Sequence, residues 1–219
     1  MTPTQVIALN NCAVALIKQQ HYHDAIVAAA SALKQYREFQ RAHHQTEEVQ
    51  QQRATTTNCH EGDSIDQYMM QSDVSEPSFN ASTGEFVYQR GIFIPPNAYE
   101  TINIAAILIF NSALSHQLLA RQHPKTPVPQ SILLKAQRLY QLAYDLQDNE
   151  DNVLFKFAVI NNTAVIYRAV GNHTMSKECL DFLVSLLMMF VDRGCSVQLQ
   201  HVRGFLANLD SNTQSAPAA

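Results

Sequence analysis

The residues whose type and spacing point most directly to chemistry are five asparagines, Asn10, Asn11, Asn111, Asn161 and Asn162. That chemistry is recognition. A carboxamide carries a donor and an acceptor, so one side chain can meet both the N–H and the C=O of a backbone residue and hold an extended peptide. Three of the five stand two residues before an alanine in an apolar run: Asn11 before Ala13, Asn111 before Ala113, and Asn162 before Ala164. The plainer use of such amides, and the one the sequence favours, is to bond neighbouring helices and fix their stacking. The sharper use is a ladder along a peptide groove, and the extra neighbours Asn10 and Asn161 lean that way. Arg168, on the same run as Asn161 and Asn162, is counted with them as a groove residue.

Other site chemistries find little material. His21 and His23, or His43 and His44, lack a third ligand at a supporting spacing and read as solvated helix surface. No Ser-His-Asp order, phosphate-binding glycine loop or paired-carboxylate motif occurs, and the chain has only 6 Gly from which to build such loops. His116 reads as a packed boundary histidine, and Tyr140, Tyr144, Met188, Met189 and Phe190 as core. No catalytic, cofactor or metal site is expected, so the chain is not expected to be an enzyme.

The elements that must position the asparagines are helices. Leu154 to Leu183 carries apolar residues at helical spacing, breaks at Gly171 and resumes, which is a helix-turn-helix pattern. Ala164 lies on one face with Ile160 and Tyr167, and Ser176 follows twelve residues later, ahead of Leu180 and Leu183. Small residues facing each other let two helices approach closely. The same plan opens the chain, where Ala13 is followed twelve residues later by Ala25 and then by Ala32. A middle copy has Ala113 and Ala136, its turn lengthened around Pro124, Pro127 and Pro129. The second helix is expected to run from Tyr22 to about Gln50, and Asn97 with Glu100 reads as a capping box opening the middle copy.

At 219 residues and a net charge of −4, the chain suits one domain and gives no basic run for nucleic acid or an anionic membrane. Polar residues interrupt the apolar stretch 102–119, which argues against a membrane span, and the start lacks a signal-peptide pattern. A cytoplasmic location is expected, with a nuclear one possible. Cys12, Cys59, Cys179 and Cys195 read as reduced thiols, with Cys12 and Cys179 in the core.

Residues 54–97 break the pattern. This stretch holds six acidic residues against the single basic Arg90, a net of −5, so the acidity of the chain lives in it. It reads as a flexible insertion carrying one extended segment, 85–94, ahead of Pro95 and Pro96. That segment is expected to dock. The plainer reading is a strand that covers an exposed apolar side of the helices; the sharper one is a strand that occupies the groove in cis until a partner displaces it.

Three helix pairs of this kind resemble the tetratricopeptide repeat, through Asn10 to Leu33, Lys135 to Tyr144 and Asn161 to Leu183. The chain departs from that family in having no Trp, in its insertions, and in Ser176 and Leu183 where alanine is usual. The resemblance implies an all-α fold, a short α-solenoid of antiparallel helix pairs with a long, mostly disordered insertion. The expected organisation is a first pair over 1–53, the insertion over 54–97, two further pairs and a capping helix over 98–210, and a disordered tail over 211–219. It further implies a scaffold that binds a protein or peptide in a groove lined by Asn10, Asn11, Asn111, Asn161, Asn162 and Arg168. The alternative is a regulatory or docking subunit of an enzyme complex, using residues 37–53 of the long second helix. Val14, Leu114 and Val165 stand where the family's terminal-carboxylate clamp has asparagine, which disfavours that ligand.

Overall fold

A computed structural model describes residues 2–50, 64–70, 85–96, 98–99, 102–122, 130–147, 152–192 and 203–209. Its regular elements are helical: α1 (Pro3–Lys18), α2 (Tyr22–Gln50), α3 (Ile65–Met70), α4 (Ile104–Arg121), α5 (Gln130–Asp145), α6 (Val153–Ala169), α7 (His173–Asp192) and α8 (203–209). The fold is all-α, as the periodicity requires. Helix α1 packs on α2, α4 on α5 and α6 on α7, while α2 against α4 and α5 against α6 join successive pairs.

Ala13, Ala25, Ala32, Ala113, Ala136, Ala164 and Ser176 are all buried, as a close approach of paired helices at small residues requires. Tight turns link α1 to α2 and α6 to α7. Gln20, at φ 61°, turns α1 into α2, and Gly171, at φ 83°, turns α6 into α7 in the left-handed conformation that glycine adopts without strain. Helix α4 is long and apolar enough to cross a membrane, yet 83% of that stretch is buried inside the protein.

Several local expectations are corrected. Helix α4 starts at Ile104, not near Asn97: the Asn103 side chain accepts from the Ala106 N–H at 3.2 Å and its amide donates to the Leu146 carbonyl at 2.5 Å. A cap that also ties α4 to the end of α5 outcompetes one with local bonds alone. Cys12 is exposed and Cys179 half-buried, because Cys12 lies opposite the α1 stripe of Val6, Ile7, Asn10, Ala13, Val14 and Ile17. Met188 and Met189 are exposed too, on the flanks of an α7 face whose centre is Leu180, Leu183 and Phe190.

The stretch expected to be a flexible insertion contains α3. Its Asp66 carboxylate accepts from the Leu154 and Phe155 N–H groups at 2.6 and 2.9 Å, at the first turn of α6. Free amides and the helix dipole make that end a natural seat for a carboxylate. Burial nevertheless pushes the Asp66 carboxyl up to about 6, against the opposing pull of those backbone bonds. Asn152 fastens the other side of α3, its Oδ1 accepting from Ser64 Oγ and the Ile65 N–H. Residues 54–63, 71–84 and the tail 211–219 lie outside the described residues, as does the proline-containing turn 123–129.

Candidate functional site

The asparagines converge on one object, the chain's own segment 85–94. Asn11 Oδ1 accepts from the Ile94 N–H at 2.9 Å while its Nδ2 donates to the Ile94 carbonyl at 2.8 Å. Asn111 does the same at Ile92, at 2.8 and 2.9 Å, and Asn162 at Tyr88, at 2.9 and 2.9 Å. A fourth rung comes from Asn208 in α8, which holds the Phe86 N–H and C=O at 2.8 and 2.7 Å. Alternate residues thus turn both backbone groups to the same side, as an extended chain does and a helix cannot. Each rung replaces the bonds a neighbouring β-strand would supply.

Order and register follow from the helices. Taken in chain order, α1, α4, α6 and α8 hold residues 94, 92, 88 and 86, so the segment runs opposite to the succession of the helices. The adjacent asparagines explain the spacing. Asn10 adds a donor to the Ile92 carbonyl at 3.0 Å, next to the rung of Asn11, and Asn161 adds one to the Phe86 carbonyl at 3.2 Å, next to the rung of Asn162. An Asn-Asn pair therefore spans two successive rungs, residues i and i−2. Where Phe110 precedes Asn111 in place of a second asparagine, the step to the next rung doubles, from Ile92 to Tyr88.

The plainer reading of these amides also holds in part. Asn111 Nδ2 donates to Asn10 Oδ1 at 2.8 Å, directly linking α4 to α1, and Asn208 Nδ2 donates to Asn161 Oδ1 at 2.6 Å, linking α8 to α6. Tyr140 anchors the middle: its hydroxyl donates to Gln117 Oε1 at 2.9 Å and accepts from Asn162 Nδ2 at 2.9 Å. Burial drives the Tyr140 hydroxyl well above the ordinary phenol range, so it stays protonated and can donate. Buried amides with all their partners present orient one another, and the network sets a single rotamer at each rung.

Side chains of the segment complete the core. Phe86, Val87, Tyr88, Ile92 and Ile94 are buried, whereas Phe93 is 51% exposed. Tyr88 stacks on Phe205 of α8 at 6.2 Å between centroids and meets Phe110 edge-on, while Phe86 meets Phe205 edge-on at 5.2 Å. Two glycines make room. A Cβ at Gly91 would come within 3.1 Å of Val14 on α1, and one at Gly204 would lie 2.5 Å from the Phe86 ring. Gly204 is what lets α8 lie flat on that ring.

One end carries charge. Arg168 Nη1 donates to Glu85 Oε1 at 3.2 Å, and Arg121 Nη2 stands 4.0 Å from Glu85 Oε2. Burial of Arg121 lowers its pKa, an effect the Glu85 carboxylate opposes. Every expected groove residue, Asn10, Asn11, Asn111, Asn161, Asn162 and Arg168, thus touches the segment itself. Two contributors escaped the sequence reading. Asn208 lacks the small residue two places later that marked the others, and Arg121 acquires a role only through a carboxylate distant in the chain. His116 is buried with Nδ1 2.8 Å from the Ser112 carbonyl, within its own helix and away from the rungs. Comparisons with the models of known protein families, with curated proteins and with solved structures found no match.

Proposed function

We propose that this chain is a non-catalytic protein-interaction module of the tetratricopeptide-like kind, a short α-solenoid of antiparallel helix pairs working in the cytoplasm or nucleus. Its groove is a receptacle for extended polypeptide, filled in this state by the chain's own residues 85–94. The observation that carries this reading is the set of bidentate rungs at Phe86, Tyr88, Ile92 and Ile94. Contacts made to backbone alone accept many sequences, which suits a surface that holds peptide and not one that transforms it. The amides that a catalytic groove would direct at a reacting group are here spent on N–H and C=O groups.

A second reading keeps the module but moves its interface to α2. That helix has 29 residues against 16 in α1, so its distal part extends past its partner. Arg37, Glu38 and Arg41 are exposed there, and Phe39 packs edge-on against Tyr99 on the inner side. Such a projecting, rigid edge fits a regulatory or docking subunit of an enzyme complex.

Affinity capture with the full chain separates the two. A synthetic peptide of residues 84–95 is expected to release proteins bound in the groove, and substitution of Arg37, Glu38 and Arg41 to leave them bound. The reverse pattern assigns the interface to α2. Specific retention of no protein by either surface overturns the module reading, and turnover abolished by one polar substitution replaces it with an enzyme.

A further inference from the structure

We propose that the 85–88 end of the groove is an exchange site, which takes from a protein partner an extended segment with an acidic residue directly before a large aromatic one. The inference rests on the groove reading above and adds the chemistry of the occupant.

This end pairs a side chain of the segment by charge. The rungs are indifferent to sequence, but Glu85 lies against Arg168 and Arg121, and Phe86 and Tyr88 enter a pocket of Phe205 and Phe110. Arg121 is half-buried, and an occupant without an acid would leave its guanidinium without a carboxylate at this position. An aromatic directly after the acid is required because the Phe86 ring fills the space above Gly204.

The same end is the one built to open. Its Phe86 rung comes from α8, seven residues long, whereas Tyr88 is held by α6 and Ile92 and Ile94 by α1 and α4, all of them long helices. Short elements with few neighbours open at lower free energy than long packed helices. Because Ile92 and Ile94 stay bound, the resident segment keeps an effective concentration on the order of millimolar at this end, so exchange needs a partner that binds well or a weakened resident.

Hydrogen exchange on the unmodified full chain gives the first test. The Phe86 amide, whose acceptor is on α8, is expected to exchange at least ten-fold faster than those of Ile92 and Ile94; equal protection of the three overturns the proposal. The second test adds a labelled peptide of residues 83–89 to the full chain carrying Phe86→Ala and follows anisotropy. Saturable binding is expected, at least ten-fold weaker for the peptide carrying Glu85→Lys, with the difference abolished in an Arg168→Ala background. Absence of binding, or equal binding of the two peptides, overturns it. Should Phe86→Ala fail to fold, the exchange rates of the unmodified chain decide alone. Loss of this selectivity while captured partners are still released by the 84–95 peptide sinks the exchange site and spares the module.

Discussion

At Ile92 and Ile94 the segment lies between α1 and α4, with Gly91 pressed against Val14 and Ile17 and both isoleucines almost fully buried. At Phe86 and Tyr88 it lies between α6 and the short α8, with rings in place of aliphatic chains and an ion pair at its tip. The backbone device is the same in both halves, an asparagine amide per alternate residue. What differs is the chemistry beside the rungs, and that the Phe86 rung alone comes from a short helix, α8. An aliphatic chain between two long helices behaves as core, since dispersion and burial reward it from every side. The acidic and aromatic tip is held by the Glu85 ion pairs, by ring contacts and by the rungs of α6 and α8.

The largest expected effect removes both halves together. Ala164 of α6 is buried at the close contact of its pair, and Ala164→Asp would place a charge there without a partner, at a cost of about 4 kcal/mol or more. Loss of the cooperative thermal transition is expected, and a normal transition would show the helix register to be wrong.

Asn111→Ala attacks the aliphatic half. It leaves the Ile92 N–H unpaired and strips Asn10 of a donor, and about 3 kcal/mol of destabilisation is expected from two or three buried bonds. Chemical denaturation measures it. If Asn208→Ala costs as much, the two halves are equivalent and the contrast between them fails.

Gly204→Ala probes the aromatic half. Its Cβ would collide with the Phe86 ring, so α8 must lift, with a loss of about 2 kcal/mol confined to the Phe86 end. Exchange rates at Phe86 should rise while those at Ile92 and Ile94 stay as they were. Gly91→Ala is milder, under about 1 kcal/mol, because Val14 and Ile17 need yield only a few tenths of an ångström.

A pH dependence falls on α3. Folding raises the Asp66 carboxyl from 3.8 to about 6, so the folded state binds this proton more tightly than the unfolded one. Its contribution to stability is then full below the unfolded value and is lost as pH rises through about 6. The melting temperature should fall between about pH 4 and 6 more steeply in the unmodified chain than in Asp66→Asn, and equal slopes would remove Asp66 as the cause.

The parts that were legible in the sequence are those with local signatures. Helical spacing around Ala13, Ala113 and Ala164 announced the helix pairs, and the recurring Asn-x-Ala singled out three rungs before any geometry was known. Helix α3 was hidden because six residues in a polar stretch carry no period, and its reason for folding, the bare amides of α6, lies elsewhere in the chain. Asn103 displaced Asn97 as the start of α4 for a similar reason, its bond to Leu146 being long-range.

Sequence by itself determined that the chain is built of helices, where the six of the three pairs fall, and that amides recur at one register of three first helices. Only the tertiary structure decided what those amides hold, and that Asn208 and Arg121 belong with them. The physical reason is that a rung recognises backbone, which is the same at every residue and leaves no mark in sequence. The segment 85–94 advertised itself as apolar and extended, but its seat against the asparagines is a long-range match that no local pattern encodes.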